Sequence, residues 1–149
     1  MILLDTNVVS EALKPAPAFR VVGWLDEHFP DCAISSLTVF ELRAALVLLE
    51  SGKRKQALEG AIVRSLRRFA DRTYAFDAAA AESAATLLAQ ARSAGLPLGQ
   101  LPTKLADLQL AGIASAYGLQ FATRNVANFR GLGLELLDPW SAEPASPPR

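Results

Sequence analysis

Four residues with side-chain oxygens, Asp5, Glu41, Asp107 and Asn125, stand where they could do chemistry together. Asp5 follows the apolar run Met1 to Leu4 and is itself followed by Thr6 and Asn7. A short apolar run cut off by polar residues reads as a buried strand, and in open α/β sheets ligands sit beyond the carboxyl ends of strands. Asn125 follows a second such run, Leu119 to Thr123. Glu41 and Asp107 fall near the first turns of helices that begin after loops. If all four edges coincide, the site is a set of hard oxygen donors without His or Cys, which suits Mg²⁺ or Mn²⁺. Such an ion binds phosphate, activates water and neutralises charge developing in phosphoryl displacement.

Each residue also has a plainer reading. Asp5 can cap the turn after its strand. Glu41 can close a capping box opened by Thr38. Asp107 can favour a helix dipole, although Thr103 already offers a cap and apolar neighbours suggest a partly buried face. Burying a lone carboxylate costs several kcal/mol, on the order expected for an unpaired ion, so a buried Asp107 implies a partner, and a metal is one candidate. Asn125 can occupy a left-handed turn.

Composition removes several alternatives. The chain has one Cys and one His, which excludes an internal disulfide and a Cys/His zinc site. Cys32 reads as a buried small residue and His28 as a surface residue, against a formally open Cys–His nucleophilic pair. The formal net charge is zero, which argues against broad electrostatic binding of nucleic acid. It leaves room for an enzyme whose acids reach phosphate through a cation. No apolar run approaches the ~20 residues needed to span a bilayer. The first residues lack the basic flank of a signal peptide, so the expectation is a cytoplasmic protein with no membrane partner.

The elements that must position these residues alternate between strand and helix. Strands are expected at residues 1–4, 32–37, 119–123 and 134–137, with a minor one near 72–76. Helices are expected at 8–13, 18–29, 38–51, 53–71, 77–92 and 103–117, with a helical turn at 126–130. Val39, Phe40, Leu42, Leu46 and Leu49 make the broad apolar face of the third helix. Arg64, Arg67, Arg68 and Arg72 form a basic stripe on the fourth, either a solvated face or a phosphate track. Such alternation predicts an α/β fold: one parallel sheet with helices on both faces. One domain is expected over residues 1–140, with a disordered Ser/Pro-rich tail at 141–149.

The combination of motifs resembles the PIN-domain proteins, specifically the VapC-type toxin ribonucleases of bacterial toxin–antitoxin pairs. The matching stretches run in order from Leu4-Asp5-Thr6-Asn7-Val8-Val9-Ser10-Glu11 and Ser36-Leu37-Thr38-Val39-Phe40-Glu41-Leu42 to Ala106-Asp107-Leu108-Gln109-Leu110-Ala111 and Ala122-Thr123-Arg124-Asn125-Val126-Ala127-Asn128-Phe129, and the chain closes on Leu137-Asp138-Pro139-Trp140. The resemblance implies a five-stranded parallel sheet, a homodimer and an antitoxin that blocks the site, often with an inserted arginine. It implies Mg²⁺- or Mn²⁺-dependent cleavage of RNA. Its acidic triad falls on Asp5, Glu41 and Asp107 as metal ligands, with Asn125 in the fourth catalytic position. Thr6 and Thr123 match hydroxyl residues that line or orient the site. Arg64, Arg67, Arg68 and Arg124 are candidates for RNA phosphate contacts. Asn at both 125 and 128 lowers the acid count of this edge. That motivates a second reading, a PIN-like module that binds RNA or an antitoxin without turnover. An aspartyl-phosphate phosphatase ranks below both, because Asn7 stands where that chemistry uses a second Asp.

Overall fold

The structure, a computed structural model, describes residues 1–95 and 105–141. The expected cap at Thr103 and nearly all of the expected tail lie outside these residues. Five strands form a single parallel sheet in the order β3-β2-β1-β4-β5. They are β1 (Ile2–Leu4), β2 (Cys32–Ser35), β3 (Thr73–Tyr74), β4 (Gln120–Ala122) and β5 (Leu136–Leu137). Helices α1 (Thr6–Ala12), α2 (Phe19–His28), α3 (Ser36–Val47) and α4 (Lys53–Arg68) link the first three strands. Helices α5 (Ala78–Ser93) and α6 (Leu105–Ala116) return the chain to β4, and the one-turn α7 (Val126–Phe129) precedes β5. Among the described residues, no helix is long and apolar enough to cross a membrane.

β1 is central because every one of its residues is apolar and buried. Its side chains alternate between two cores. Ile2 and Leu4 join Cys32, Ile34, Val8, Trp24, Leu42 and Ile62 under α1–α4. Leu3 joins Phe121, Leu87, Leu110, Ile113 and Phe129 under α5–α7. Full burial of each large side chain contributes about 1.5–3 kcal/mol against the entropy of ordering the chain. Gly118, at φ +61, makes the left-handed turn that ends α6 and leads the chain into β4.

Two expectations about α3 are corrected. Its N-cap is Ser35, whose Oγ accepts from the Thr38 backbone N–H at 3.0 Å. The buried end of β2 supplies the cap, so Thr38 lies inside the helix and Glu41 in the second turn. The capping-box explanation of Glu41 therefore fails. Phe40 is 69% exposed, so it faces away from the core that Leu42 and Leu46 enter.

The end of the basic stripe has a structural task. Arg72 Nη1 donates to the carbonyls of Phe29 (2.7 Å), Pro30 (3.1 Å) and Cys32 (2.9 Å), and Nη2 to that of Arg68 (2.9 Å). This guanidinium ties the turn Phe29–Asp31 and the start of β2 to the end of α4. A lysine cannot reproduce the fork. Arg72→Lys is expected to destabilise the protein by about 1.5–3 kcal/mol, read as a lower denaturation midpoint with an unchanged slope.

Candidate active site

The strand order reverses at β1. The chain moves outward through β2 and β3, then crosses to the other side of β1 to form β4. The crevice beyond the carboxyl ends of β1 and β4 is thus the switch point at which such sheets bind ligands. Asp5 and Thr123 are the first residues past those two ends, and the last rung between them is Asp5 N–H to the Ala122 carbonyl at 2.9 Å.

The side chains continue the ladder. Thr123 Oγ1 donates to Asp5 Oδ2 at 2.7 Å. Its single proton is committed there, so its lone pairs accept, and the Asn125 backbone N–H donates to them at 3.0 Å. Asn7 Nδ2 donates to the same Asp5 Oδ2 at 2.7 Å and lies 3.4 Å from Thr123 Oγ1. Asn7 Oδ1 in turn accepts from the Arg124 backbone N–H at 3.4 Å. On the other flank Thr6 Oγ1 lies 3.1 Å from Thr38 Oγ1, which lies 3.1 Å from Ser35 Oγ. Hydroxyls and amides therefore join β1, β2 and β4 across one edge.

Asp5 is only 7% exposed. Burial pushes its carboxyl above the ordinary value; hydrogen bonds from Thr123 and from the Asn7 backbone oppose this; the negative charges of Asp107 and Glu41 push it up further. Three of the sequence-predicted acids thus share one electrostatic neighbourhood, although they come from β1, α3 and α6. Glu41 and Asp107 are half-buried. Asn125 joins them through its backbone and starts α7 at φ −92, ψ 48, so the left-handed turn is not its conformation. Its side chain makes no capping hydrogen bond.

The donor set fits a hard divalent cation. It is all oxygen, and a buried carboxylate flanked by two like charges is a site that a cation relieves. The fit is one of chemical type: among the described residues, no group of three or more His, Cys, Asp or Glu side chains is arranged to hold a metal ion. Glu41 and Asp107 act on Asp5 through their charges.

The arginines divide. Arg68 stacks 3.8 Å from the Phe29 ring centroid, beside the turn that precedes β2. Strands β1 and β2 run parallel, so this end of α4, with Arg67 and Arg68, sits at the opposite edge of the sheet from Asp5. The stripe leads away from the crevice, which argues against a phosphate track there. Arg64 is exposed one turn earlier on the same helix. Arg124 is exposed at the crevice itself, with its guanidinium 5.4 Å from the Trp140 ring centroid.

Cys32 is fully buried at the far end of β2, and burial pushes its thiol up to about 11. His28 is half-buried rather than on the surface, stacked on Trp24 with Nδ1 2.8 Å from the Trp24 carbonyl. Neither group is placed for nucleophilic chemistry.

Two residues were missed by sequence reasoning. Asn7 is one: a polar side chain three residues past a strand end, in a first helical turn, can reach back to that end. Glu11 is buried at 6% exposure and accepts from Lys14 Nζ at 2.6 Å and from the Ala18 backbone N–H at 2.9 Å. These bonds hold its carboxyl below the ordinary range and tie the Pro-rich link between α1 and α2 to the helix that carries Asn7. A charged residue on the apolar face of Val8 and Val9 was the available signal.

Comparison with known proteins places the geometry in a lineage. The PIN domain profile matches residues 2–131. The VapC ribonuclease Y4jK of Sinorhizobium fredii is 39% identical over 150 residues, covering 97% of this chain and all of the relative. Toxin FitB of Neisseria gonorrhoeae is 40% identical over 142 residues, covering 94% of this chain and 99% of FitB. The solved structure of FitAB bound to an IR36 DNA fragment superposes at a TM-score of 0.85 with 36% identity, covering 96% of this chain and 98% of the matched one.

Proposed function

The chain belongs to the PIN-domain family, and on that premise we propose that it is a VapC/FitB-type toxin, a metal-dependent endoribonuclease held in check by a cognate antitoxin. The observation that carries the reading is the buried Asp5 at the switch point, wired to Thr123 and Asn7 and within the repulsive field of Asp107 and Glu41. In this reading Asp5, Glu41 and Asp107 hold one Mg²⁺ or Mn²⁺, with Asn125 beside them. The bound ion supplies charge neutralisation for the scissile phosphate and acidifies a water for attack.

The chain's own residues do the rest. Thr123 and Asn7 keep the Asp5 carboxylate in one orientation. Thr6, through Thr38 and Ser35, ties the first turn of α1 to the start of α3, which carries Glu41. Arg124 is the arginine at the right edge to meet an RNA phosphate. Glu41 and Asp107 are half-buried, so both keep part of their surface for solvent or substrate.

The antitoxin reading is supported by the likeness to FitB and to FitAB. A groove of about 620 Å³ between α1, α3 and α4 offers it a seat, lined by Leu13, Leu42, Ala57 and Leu58 together with Lys14 and Arg54. That largely apolar lining fits the apolar face of an amphipathic helix. A homodimer belongs to the same proposal.

The test is cleavage of a mixed RNA pool by purified, partner-free protein with Mg²⁺, with Mn²⁺ and with EDTA. Cuts are expected in either metal and none in EDTA. Arg124→Ala is expected to raise KM on the order of tenfold, one charge-assisted contact, and to flatten the salt dependence. Arg67→Ala is expected to change neither. Well-folded protein that binds RNA but never cuts it would favour the binding module.

A further inference from the structure

We propose that Asn7 is a positioning residue for the cation site: together with Thr123 it fixes Oδ2 of Asp5 and so reserves Oδ1 as the oxygen presented to the cation. The inference rests on the reading of this edge as a divalent-cation site and goes one step into it. Both side-chain hydrogen bonds to Asp5 converge on a single oxygen, each at 2.7 Å. An ionised carboxylate oxygen that already takes two donors is a poor metal ligand, whereas its partner oxygen takes neither of these side-chain donors and is the better placed of the two to ligate. Thr123 cannot do this alone. Its hydroxyl is a single rotor, and Asn7 Nδ2, within 3.4 Å of Thr123 Oγ1, is the second point that stops the carboxylate from swinging.

The other end of the same amide explains why an asparagine suits the position. Asn7 Oδ1 accepts from the Arg124 backbone N–H. One planar group therefore spans β1 and the loop after β4, donating to the acid and accepting from the segment that carries Asn125. An aspartate at position 7 would repel Oδ2, and a serine would be too short to hold both. The site thus uses a neutral amide beside three acids, where a fourth acid would add to the repulsion on Asp5.

The experiment is a titration of the full-length protein with Mn²⁺, following free Mn²⁺ by its electron paramagnetic resonance, with melting in EDTA as a parallel readout. Asn7→Ala is expected to weaken Mn²⁺ binding by about 10–100-fold, as loss of a partner to a ligand does, while melting in EDTA stays within a few degrees of the parent. Asn7→Ser serves as a second variant with the same expected loss should the alanine variant fold poorly. Parent protein that binds Mn²⁺ while a folded Asn7 variant binds it equally well would overturn the role of Asn7 and leave the cation site standing. Parent protein that binds no Mn²⁺ at millimolar concentration would overturn the cation site and this proposal with it.

Discussion

Asp5→Asn is expected to lower metal-dependent RNA cleavage by at least 10²–10³-fold, on the order seen for loss of a group that stabilises developing charge, and at the same time to raise the melting temperature of the metal-free protein. The two effects have one origin. Asp5 is a buried carboxylate facing Asp107 and Glu41, and its neighbours hold it in place without neutralising it. Asparagine keeps the shape and an oxygen that can accept from Thr123 and Asn7, but removes the charge that a cation needs. A gain of about 1 kcal/mol would appear as roughly 2–4 °C in a domain of this size.

The pH dependence has a definite sign. A carboxyl whose folded pKa is raised binds its proton more tightly in the fold than in the unfolded chain. The fold therefore loses stability as pH climbs from the ordinary carboxylate value through the raised one, and the penalty is complete above the raised value. The advantage of Asp5→Asn is expected to shrink in acid. Added Mn²⁺ is expected to raise the melting temperature of the parent and not of the variant. Equal melting curves for the two proteins at neutral pH without metal would contradict the electrostatic part of the explanation.

Gly112→Ala is expected to damage the fold without touching the crevice. A Cβ at Gly112 would run into the Ala80 carbonyl oxygen and lie 2.7 Å from the Ala84 Cβ. Both obstacles belong to α5, and one is backbone, so no side chain can turn aside. Glycine inside a helix ordinarily costs about 1 kcal/mol against alanine, so a simple propensity argument makes this substitution stabilising. The close approach reverses the sign. We expect a loss of about 1–3 kcal/mol, as for other overpacked interiors, with α5 and α6 forced apart. Because α6 carries Asp107, cleavage is expected to fall as well, with urea denaturation as the primary measurement. A variant as stable as the parent would show that the two helices can separate freely.

Much of this was legible in the sequence because burial leaves a mark there. β1 is apolar at every position since both faces of a central parallel strand are covered, and the polar run after it marks the strand end. Asp5, Asn125 and the first turn of α6 could be assigned to one edge by topology alone. Sequence periodicity failed where a choice depended on tertiary neighbours. Thr38 reads as the cap from sequence alone; the buried end of β2 supplies Ser35 instead. Phe40 falls on an apparently apolar face, yet the sheet lies under Leu42 and Leu46, leaving Phe40 exposed. The basic stripe of α4 has no direction in sequence; only the parallel pairing of β1 and β2 shows that its end points away from Asp5. Asn7 and Glu11 act through single hydrogen bonds to distant or looped backbone, which leave no periodic signal.

The measurement that bears most directly on the site is a manganese-edge anomalous difference map from crystals of the protein soaked in Mn²⁺. The expected result is one strong peak beyond the carboxyl ends of β1 and β4, in direct contact with the Asp5 carboxylate and in direct or water-bridged reach of Glu41 and Asp107. A peak elsewhere, or none at that edge in protein that still cleaves RNA with Mn²⁺, would contradict the assignment of Asp5, Glu41 and Asp107 as the cation site.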